Sequence, residues 1–280
     1  MALSEQQIES RVVELVNLPT LPGILKKISK MTENRETSAA DVAEVISTDQ
    51  VLSAKVLRLV NSPVYGFPGR ISSITHAVVL LGFNVVKGMV LGTAVFDSIG
   101  AHGRGLWEHS LGCAIVSRRL ARDLKLAEVE EVMIAGLLHD LGKVVLSYLF
   151  PEQYELAVDL AMARKCHIGE AEREVFGIDH TRVNRWMAEQ WHFPERLSDP
   201  IVYHHIPLRS RNSASATAVV HLADILARGM GYGFPGDMAM PELNQEAFHM
   251  LRLSFEQLDR VLEDSELEYT SGSGIFGIGG

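Results

Sequence analysis

The chain has 280 residues with a net charge of −9, 47% hydrophobic residues and 22% charged residues, which predicts a folded globular protein. The acidic balance argues against broad binding to a nucleic-acid backbone, which needs an excess of Lys and Arg. Only Cys113 and Cys166 are present, too few for a disulfide framework, and the N-terminus lacks a signal-peptide pattern. The most apolar stretch, 77–86, is too short to span a membrane. We therefore expect a cytoplasmic protein without membrane association.

The first hundred residues show helical periodicity, with polar residues placed where helices can begin. Ser38, Asp49 and Ser73 each precede an apolar periodic stretch and can cap a helix N-terminus. Residues 61–69, between the last two of these helices, contain two prolines and two glycines, which predicts a shaped loop. This loop is either a rigid connector, which we favour, or a recognition loop with Tyr65 and Phe67 exposed.

The helical pattern breaks at Gly100–Gly105, where we place a junction between two subdomains. No alternating strand pattern and no internal repeat is visible, so we expect an all-α fold of two packed helical subdomains. The predicted units are residues 1–98, residues 99–265 and a glycine-rich tail over 266–280. Beyond the junction the predicted helices cover 106–124, 128–147, 151–165, 169–176, 180–191, 194–204, 213–230 and 242–262.

The pair His139-Asp140 is the most informative motif, because it lies in the otherwise apolar stretch Leu137–Lys143. Histidines and a carboxylate stand around it in a definite order along the chain. Imidazole and carboxylate ligands together suit iron, manganese or zinc, and the lack of cysteine argues against a structural zinc finger. The candidate ligands of a metal site are His109, His139, Asp140, His180, His204, His205 and Asp224.

Each candidate ligand also has an ordinary structural interpretation. On helical spacing Asp224 faces the core, where a buried salt bridge would serve it as well as a metal ion. Asp179 can be a helix N-cap, which would leave His180 as an ordinary first-turn residue. The pair His204-His205 suits a helix C-terminus for dipole reasons alone. Lys143 can simply lie on the surface. We favour ligation because the ordered set as a whole is hard to explain otherwise.

A series of short segments follows in fixed order in the first half of the chain. With these segments, and with the pair His139-Asp140 beyond them, the chain resembles HDOD proteins, a branch of the bacterial HD superfamily. The resemblance spans about residues 15–210, extends to Asp224 and implies an all-helical fold with an HD-like bundle as its second part. The segments are Leu18–Pro22, Ile46–Leu52, Val56–Ser62, Tyr65-Gly66, Ile71–Ile74, Ala77-Val78 and Leu80–Gly82.

Many HDOD proteins have lost the HD ligands and are regarded as regulatory modules, whereas this chain keeps a nearly full set. The set resembles that of HD-GYP phosphodiesterases, which use two or three metal ions against cyclic dinucleotides. The resemblance implies that Asp140 bridges two metal ions and that Lys143 faces a phosphate. It also implies that the ligand positions are those of the seven residues given above.

Three departures from the HD-GYP pattern favour two metal ions over three. Gly105 stands where some relatives carry a glutamate for a third ion, and Ile206 stands where the enzymes often have Glu. The Gly-Tyr-Pro loop is missing after His205. The segment Gly231–Pro235 looks similar, but it follows Asp224 and therefore lies in the wrong place along the chain.

We therefore expect a bacterial signal-transduction module with an intact two-metal site, in which iron or manganese is favoured and zinc, magnesium or nickel are alternatives. The rival hypothesis is a metal-dependent phosphohydrolase or phosphodiesterase acting on a nucleotide or cyclic dinucleotide, with Asp140 and Lys143 as catalytic residues. A third hypothesis is nucleotide binding without turnover. The expected partners are a signalling protein, the phosphate of a nucleotide, or both.

Overall fold

The computed structural model describes residues 4–17, 27, 31, 37–62, 65, 67, 70–99 and 105–273. Across these ranges the regular elements are α-helices, together with a short 3-10 turn at Pro207–Arg209, and no strand occurs. The predicted all-α fold is confirmed.

Helices in the first half begin at the predicted capping residues. Ser38 accepts a hydrogen bond from the Asp41 backbone N–H at 3.2 Å, Asp49 from that of Leu52 at 3.0 Å, and Ser73 likewise starts its helix. These caps satisfy backbone donors that a helix cannot satisfy itself. The helices are α1 (Glu5–Asn17), α2 (Ala39–Ser47), α3 (Gln50–Val60), α4 (Ile74–Leu81) and α5 (Phe83–Ile99).

The second half is a bundle in which one long helix, Leu106–Asp123, packs against Val129–Leu138, Ala214–Gly229 and Phe255–Ser273. In chain order its helices are α6 (Leu106–Asp123), α7 (Val129–Leu138), α8 (Leu141–Leu149), α9 (Pro151–Arg164), α10 (Ile168–Phe176), α11 (His180–Gln190), α12 (Glu195–Tyr203), α13 (Ala214–Gly229), α14 (Gln245–Leu251) and α15 (Phe255–Ser273).

The predicted single helix over 128–147 is wrong, because the chain turns at His139-Asp140. Helix α7 ends just before the pair and α8 begins just after it, with Asp140 at φ −101° and ψ 11°. The Asn184 side chain satisfies the backbone at this break: its oxygen accepts from Gly142 N–H at 2.7 Å and its amide donates to the His139 carbonyl. A tertiary contact from α11 therefore stabilises a turn that the apolar periodicity of the sequence does not predict.

The predicted helix over 242–262 is also wrong as one element, because Arg252 adopts a left-handed conformation with φ 51° between α14 and α15. Helix α15 then continues to Ser273, well into the predicted tail of 266–280. Tyr269 of this helix stacks on Tyr232, with 3.9 Å between the ring centroids, and Glu266 accepts a hydrogen bond from the Tyr232 hydroxyl. These contacts stabilise the helical conformation of residues 266–273, which were predicted to belong to the tail. Residues 274–280 lie outside the described residues.

The two predicted subdomains share one apolar core. Helix α5 packs on α7 and α8, and a Cβ atom at Gly88 would lie 2.4 Å from a methyl carbon of Ile134. Buried Lys87, on the same helix, donates a hydrogen bond to the Trp191 carbonyl. The predicted junction at 100–104 lies outside the described residues, so the boundary at 98–99 stays a prediction.

The loop after α3 connects the two halves through buried contacts. The Asn61 side chain exchanges two hydrogen bonds of 2.7 Å with the Ile71 backbone across the loop. Tyr65 is buried, and its ring lies 5.0 Å from the Arg118 guanidinium of α6. The interpretation of Tyr65 as an exposed anchor is wrong. The buried contacts of Asn61 and Tyr65 fit the favoured interpretation of the loop as a rigid connector.

The stretch Val129–Leu149 is long and apolar enough to cross a membrane by length and composition alone. In the fold, 89% of its apolar window is buried inside the protein, and the turn at His139-Asp140 divides it. It therefore forms the interior of the bundle. The cytoplasmic location stays a prediction.

Candidate metal centre

All seven predicted ligand residues converge on one point of the second half. They come from the start of α6, the turn between α7 and α8, the start of α11, the end of α12 and the middle of α13. Every one except His205 is buried, and the His205 side chain is 19% exposed. The structure thus brings together His109, His139, Asp140, His180, His204, His205 and Asp224.

The ligand atoms fall into two neighbouring groups. One group contains His109, His139 and Asp224, in which the His109 Nε2 atom lies 3.0 Å from Asp224 Oδ1. The His139 Nε2 atom lies 3.8 Å from the same oxygen. These spacings suit three ligand atoms around one ion.

The other group contains His180, His204 and His205, whose ligand nitrogens lie within 4.8 Å of one another. The Nε2 atoms of His180 and His205 are 3.1 Å apart. Because this group includes the partly exposed His205, it is the half of the centre that solvent can reach.

Asp140 lies between the two groups, with one carboxylate oxygen toward each. Its Oδ2 atom is 3.3 Å from His139 Nε2 and 3.6 Å from His109 Nε2. Its Oδ1 atom is 3.5 Å from His180 Nε2 and 4.0 Å from His204 Nε2. This is the arrangement that a carboxylate bridging two ions requires.

Buried polar atoms without hydrogen-bond partners test whether a metal would fit. His139 Nε2, His204 Nε2 and Asp140 Oδ1 are buried and unpartnered, although an unpaired buried polar group costs free energy. The opposite nitrogens are occupied: His139 Nδ1 bonds the Gly136 carbonyl at 2.7 Å and His204 Nδ1 that of Ile201 at 2.9 Å. A proton on Nδ1 leaves the Nε2 lone pair directed at the centre, which is how metal-binding histidines are oriented. The donor set therefore fits two divalent ions.

A second layer of side chains supports the ligands, and the sequence does not predict its members Glu172 and Asn184. Buried Glu172 accepts hydrogen bonds from both His180 Nδ1, at 2.6 Å, and the His180 backbone N–H, at 2.9 Å. His221 Nδ1 donates to the carbonyl of His204 at 2.7 Å. Asn184 completes this layer at the turn of the His-Asp pair. Glu172 gives no periodic or spacing signal, whereas the position of His221 one helical turn before Asp224 is a signal that the sequence does carry.

Two buried cations neutralise the two carboxylate ligands. The alternative of a surface lysine at position 143 is wrong, because Lys143 is buried, with its Nζ atom 2.7 Å from Asp140 Oδ2 and donating to the Pro235 carbonyl; its predicted role toward a phosphate stays a prediction. Arg228 binds Asp224 through Nε and Asp237 through Nη1, each at 3.0 Å. Burial raises the pKa of Asp224, but Arg228 beside it outweighs burial, so the pKa lies well below its usual value. Both carboxylates are therefore held ionised.

Burial sets the charge of the histidines nearest the opening. It lowers the pKa of His204 and His205 well below the usual value, and neighbouring imidazoles lower it further. Burial also lowers the pKa of His139, but the adjacent Asp140 carboxylate outweighs this and the net shift is upward. Neutral His204 and His205 have lone pairs available for a metal at neutral pH.

The segment Gly231–Pro235 contacts the centre, although its place along the chain had argued against a role. Its Phe234 N–H donates to the Gly105 carbonyl at 2.9 Å, and a Cβ atom at Gly105 would lie 2.6 Å from Phe234 Cβ. The position that carries a third-metal glutamate in some relatives is thus filled by this segment. Ile206, the other departure, is 44% exposed.

A cavity of about 430 Å³ opens onto the centre at His205. Cavities of this size hold small-molecule ligands. Its wall combines ionisable and apolar side chains, formed by Lys165, Cys166, His167, Glu170, His205, His221, Ala239, Met240, Pro241 and Glu242.

The chain is similar to several known proteins. The HDOD domain model matches residues 18–207. A solved HDOD domain protein of unknown function from Geobacter sulfurreducens is 26% identical, with 96% of this chain and 97% of that chain covered and a TM-score of 0.72. A candidate phosphohydrolase from Shewanella amazonensis SB2B shares the fold at 21% identity, over 97% and 91% of the two chains, with a TM-score of 0.61.

Two further similarities involve longer proteins. A candidate signal transduction protein from Marinobacter aquaeolei VT8 shares the fold at 22% identity and a TM-score of 0.71, over 95% of this chain and 60% of its own. An uncharacterized protein of Treponema pallidum (strain Nichols) is 24% identical over 246 residues, which are 86% of this chain. The chain spans about half the length of that relative, 47%. Since the family model covers most of the chain, this protein belongs to the HDOD family.

Proposed function

We propose that this chain is a regulatory HDOD module that holds two divalent metal ions and uses them to bind a phosphate-containing ligand. The observation that carries the proposal is the convergence of buried, unpartnered His139 Nε2, His204 Nε2 and Asp140 Oδ1 atoms on one point. Mixed imidazole and carboxylate ligands favour iron or manganese.

The cavity beside His205 gives such a ligand its way to the centre. When bound, two divalent ions supply Lewis acidity to phosphoryl oxygens and to water. The chain's own residues supply the rest: Asp140 joins the two ligand groups, and buried Lys143 fixes that carboxylate. Lys143 therefore acts on the ligand through Asp140.

A regulatory role is favoured because Gly105 stands where some relatives carry a glutamate for a third ion, and Ile206 stands where the enzymes often have Glu. The packing of Phe234 on Gly105 supports a centre with two ions and no third. A solved protein of the same fold from Marinobacter is a candidate signal transduction protein, which is compatible with this role. A signalling protein partner is part of the proposal.

Metal-dependent hydrolysis of a phosphate ester is the second candidate function. It is favoured by the open side of the centre at His205, because a sealed centre would admit no substrate. The Shewanella relatives of this fold are candidate phosphohydrolases, one of them metal-dependent. In this case Asp140 would hold the two ions that bind the reacting phosphate, and Lys143 would fix the orientation of the Asp140 carboxylate.

Elemental analysis of the purified protein tests the shared premise. We expect two equivalents of iron or manganese in the native protein and a loss of bound metal in His139→Ala. His249→Ala is the matched control, because His249 is exposed on α14. Native protein without stoichiometric metal would overturn the proposal.

Turnover separates the two functions. The metal-loaded protein is incubated with nucleoside monophosphates and cyclic dinucleotides, and product is measured by chromatography. Intact nucleotide recovered after binding supports the regulatory module. Hydrolysis at an ordinary enzyme rate, of roughly 1 s⁻¹ or more, that is abolished in His139→Ala establishes the enzyme instead.

A further inference from the structure

His167 lies in the cavity wall next to the metal centre, although neither the ordered ligand set nor the metal groups include it. It is the N-cap of α10, and its Nδ1 atom accepts a hydrogen bond from Gly169 N–H at 3.2 Å. Its ring meets that of His205 edge-on, with 4.6 Å between centroids. Its Nε2 atom lies 3.4 Å from Arg228 Nη2.

The two ring nitrogens of His167 both face N–H donors. A neutral imidazole has one lone pair, and a guanidinium only donates. The Nδ1 lone pair is engaged by Gly169, so the proton is on Nε2 and faces the donor group of Arg228. Two donors directed at each other require an acceptor that both can reach.

The guanidinium of Arg228 is fixed by its other contacts. Its Nε atom binds Asp224, and its Nη1 atom binds Asp237 and the Ala239 carbonyl. Among the described contacts, Nη2 meets only His167. The side chain is 4% exposed, so water screens its charge weakly.

We propose that His167 Nε2–H, in the cavity wall, and Arg228 Nη2–H, buried directly behind it, form an oxyanion subsite that binds a phosphoryl oxygen of the ligand held at the metal centre. The proposal rests on the proposed function, because the remaining phosphoryl oxygens are to be bound at the centre. Charge-assisted hydrogen bonds from two fixed donors orient a tetrahedral phosphate.

The charge distribution of the cavity supports this orientation. The two carboxylates of Glu170 and Glu242 outnumber the single cation of Lys165 at the exposed rim, so the net negative charge there disfavours the anionic end of a ligand. Met240 and Pro241 provide apolar surface in the same wall. The phosphate therefore points toward His167, with Arg228 behind it, and the less charged part of the ester lies toward the rim.

Calorimetric titration of inorganic phosphate into the manganese-loaded protein tests the subsite. His167→Asn keeps an N-cap acceptor for α10, but its shorter side chain does not reach Arg228. We expect unchanged metal content and thermal midpoint, and a phosphate Kd weakened by about tenfold or more. His249→Asn, on the exposed side of α14, is expected to bind phosphate as the native protein does.

The outcomes separate this proposal from the proposed function. Full metal content with unchanged phosphate affinity in His167→Asn overturns the subsite and leaves the metal centre intact. Native protein that holds metal and does not bind phosphate also overturns the subsite. Loss of metal in His167→Asn would assign the ring to the ligand set and overturn its role as a phosphate donor. Native protein without metal overturns both proposals.

Discussion

The two halves of the molecule bury different kinds of side chain. Among the described residues of α1–α5 the interior is almost entirely apolar, with Ser62, Lys87 and Thr93 as its buried polar residues. The second half buries histidines, carboxylates and cations around a single point. Apolar burial stabilises a fold by itself, whereas buried charges do so only when every one is paired. The first half is therefore a scaffold, and the second half combines a scaffold with a site whose stability depends on its ligands.

The largest expected effect is on metal content, and it is tested by comparing Asp140→Asn in the site with Leu59→Ala in the scaffold. Asp140→Asn removes the charge that faces both ligand groups and leaves buried Lys143 without its ion pair, so we expect both metal equivalents to be lost. Leu59 is 1% exposed, and its truncation is expected to lower the free energy of unfolding by about 2–5 kcal/mol without changing metal content. Elemental analysis and urea unfolding measure the two effects. Stoichiometric metal in Asp140→Asn would contradict the bridging role.

A smaller effect is expected at the layer behind the ligands. Glu172→Gln leaves the His180 Nδ1–H without a charged acceptor, so metal affinity should fall by about 10–100-fold, as for other supports of metal-binding histidines. The control is Glu174→Gln on the same helix, since Glu174 pairs with Arg164 at the surface. Competition with a fluorescent chelator measures both affinities. Equal affinities in the two variants would show that Glu172 serves packing alone.

Local signals predicted the parts of this molecule in which neighbours along the chain decide the structure. Ser38, Asp49 and Ser73 cap helices because the donors they satisfy lie within three residues. The ligand set was recognisable because its order and its apolar surroundings are both visible in the sequence. Buried histidine and carboxylate residues in such a setting need partners, and the set supplies them.

Contacts between distant residues account for what the sequence did not predict. Asn184 ends α7 from 45 positions away, so continuous apolar periodicity at His139-Asp140 gave the wrong single helix. The segment Gly231–Pro235 was set aside because of its order in the chain, yet it packs on Gly105. Lys143 is buried although the sequence also allows a surface lysine, because the Pro235 carbonyl, an acceptor 92 positions away, covers it beside Asp140. Only the folded chain reveals these pairings.

In protein freed of metal by a chelator, the buried histidines of the second half should make the free energy of unfolding depend on pH. Burial, then Lys143 and Arg228, lower the pKa of His167 to about 4 from an unfolded value of 6.5, so only the unfolded state takes up this proton between those limits. Stability should therefore fall as the pH drops from about 6.5 to about 4. The raised pKa of His139 acts above pH 6.5, outside this window. Burial also lowers the pKa of four further histidines, which adds to this pH dependence: His109, His204, His205 and His221.

Thermal unfolding of the metal-free protein across this pH range measures the effect, and His167→Asn should give a shallower slope. His249→Asn is the control on an exposed histidine. A midpoint that does not change between pH 6.5 and 4 would contradict the neutral, buried state of these side chains.

The smallest expected effect lies at the other end of the molecule, in the capping box of α2. Ser38 and Asp41 satisfy each other's backbone N–H groups, at 3.2 and 2.8 Å. Ser38→Ala should lower the free energy of unfolding by about 1 kcal/mol and leave metal content and phosphate affinity unchanged, because α2 packs mainly on α3 and α4, which carry no ligand. Ser10→Ala, on the exposed face of α1, is the matched control. A change of metal affinity in Ser38→Ala would contradict this expectation, because it would show that the stability of α2 and metal binding are energetically coupled.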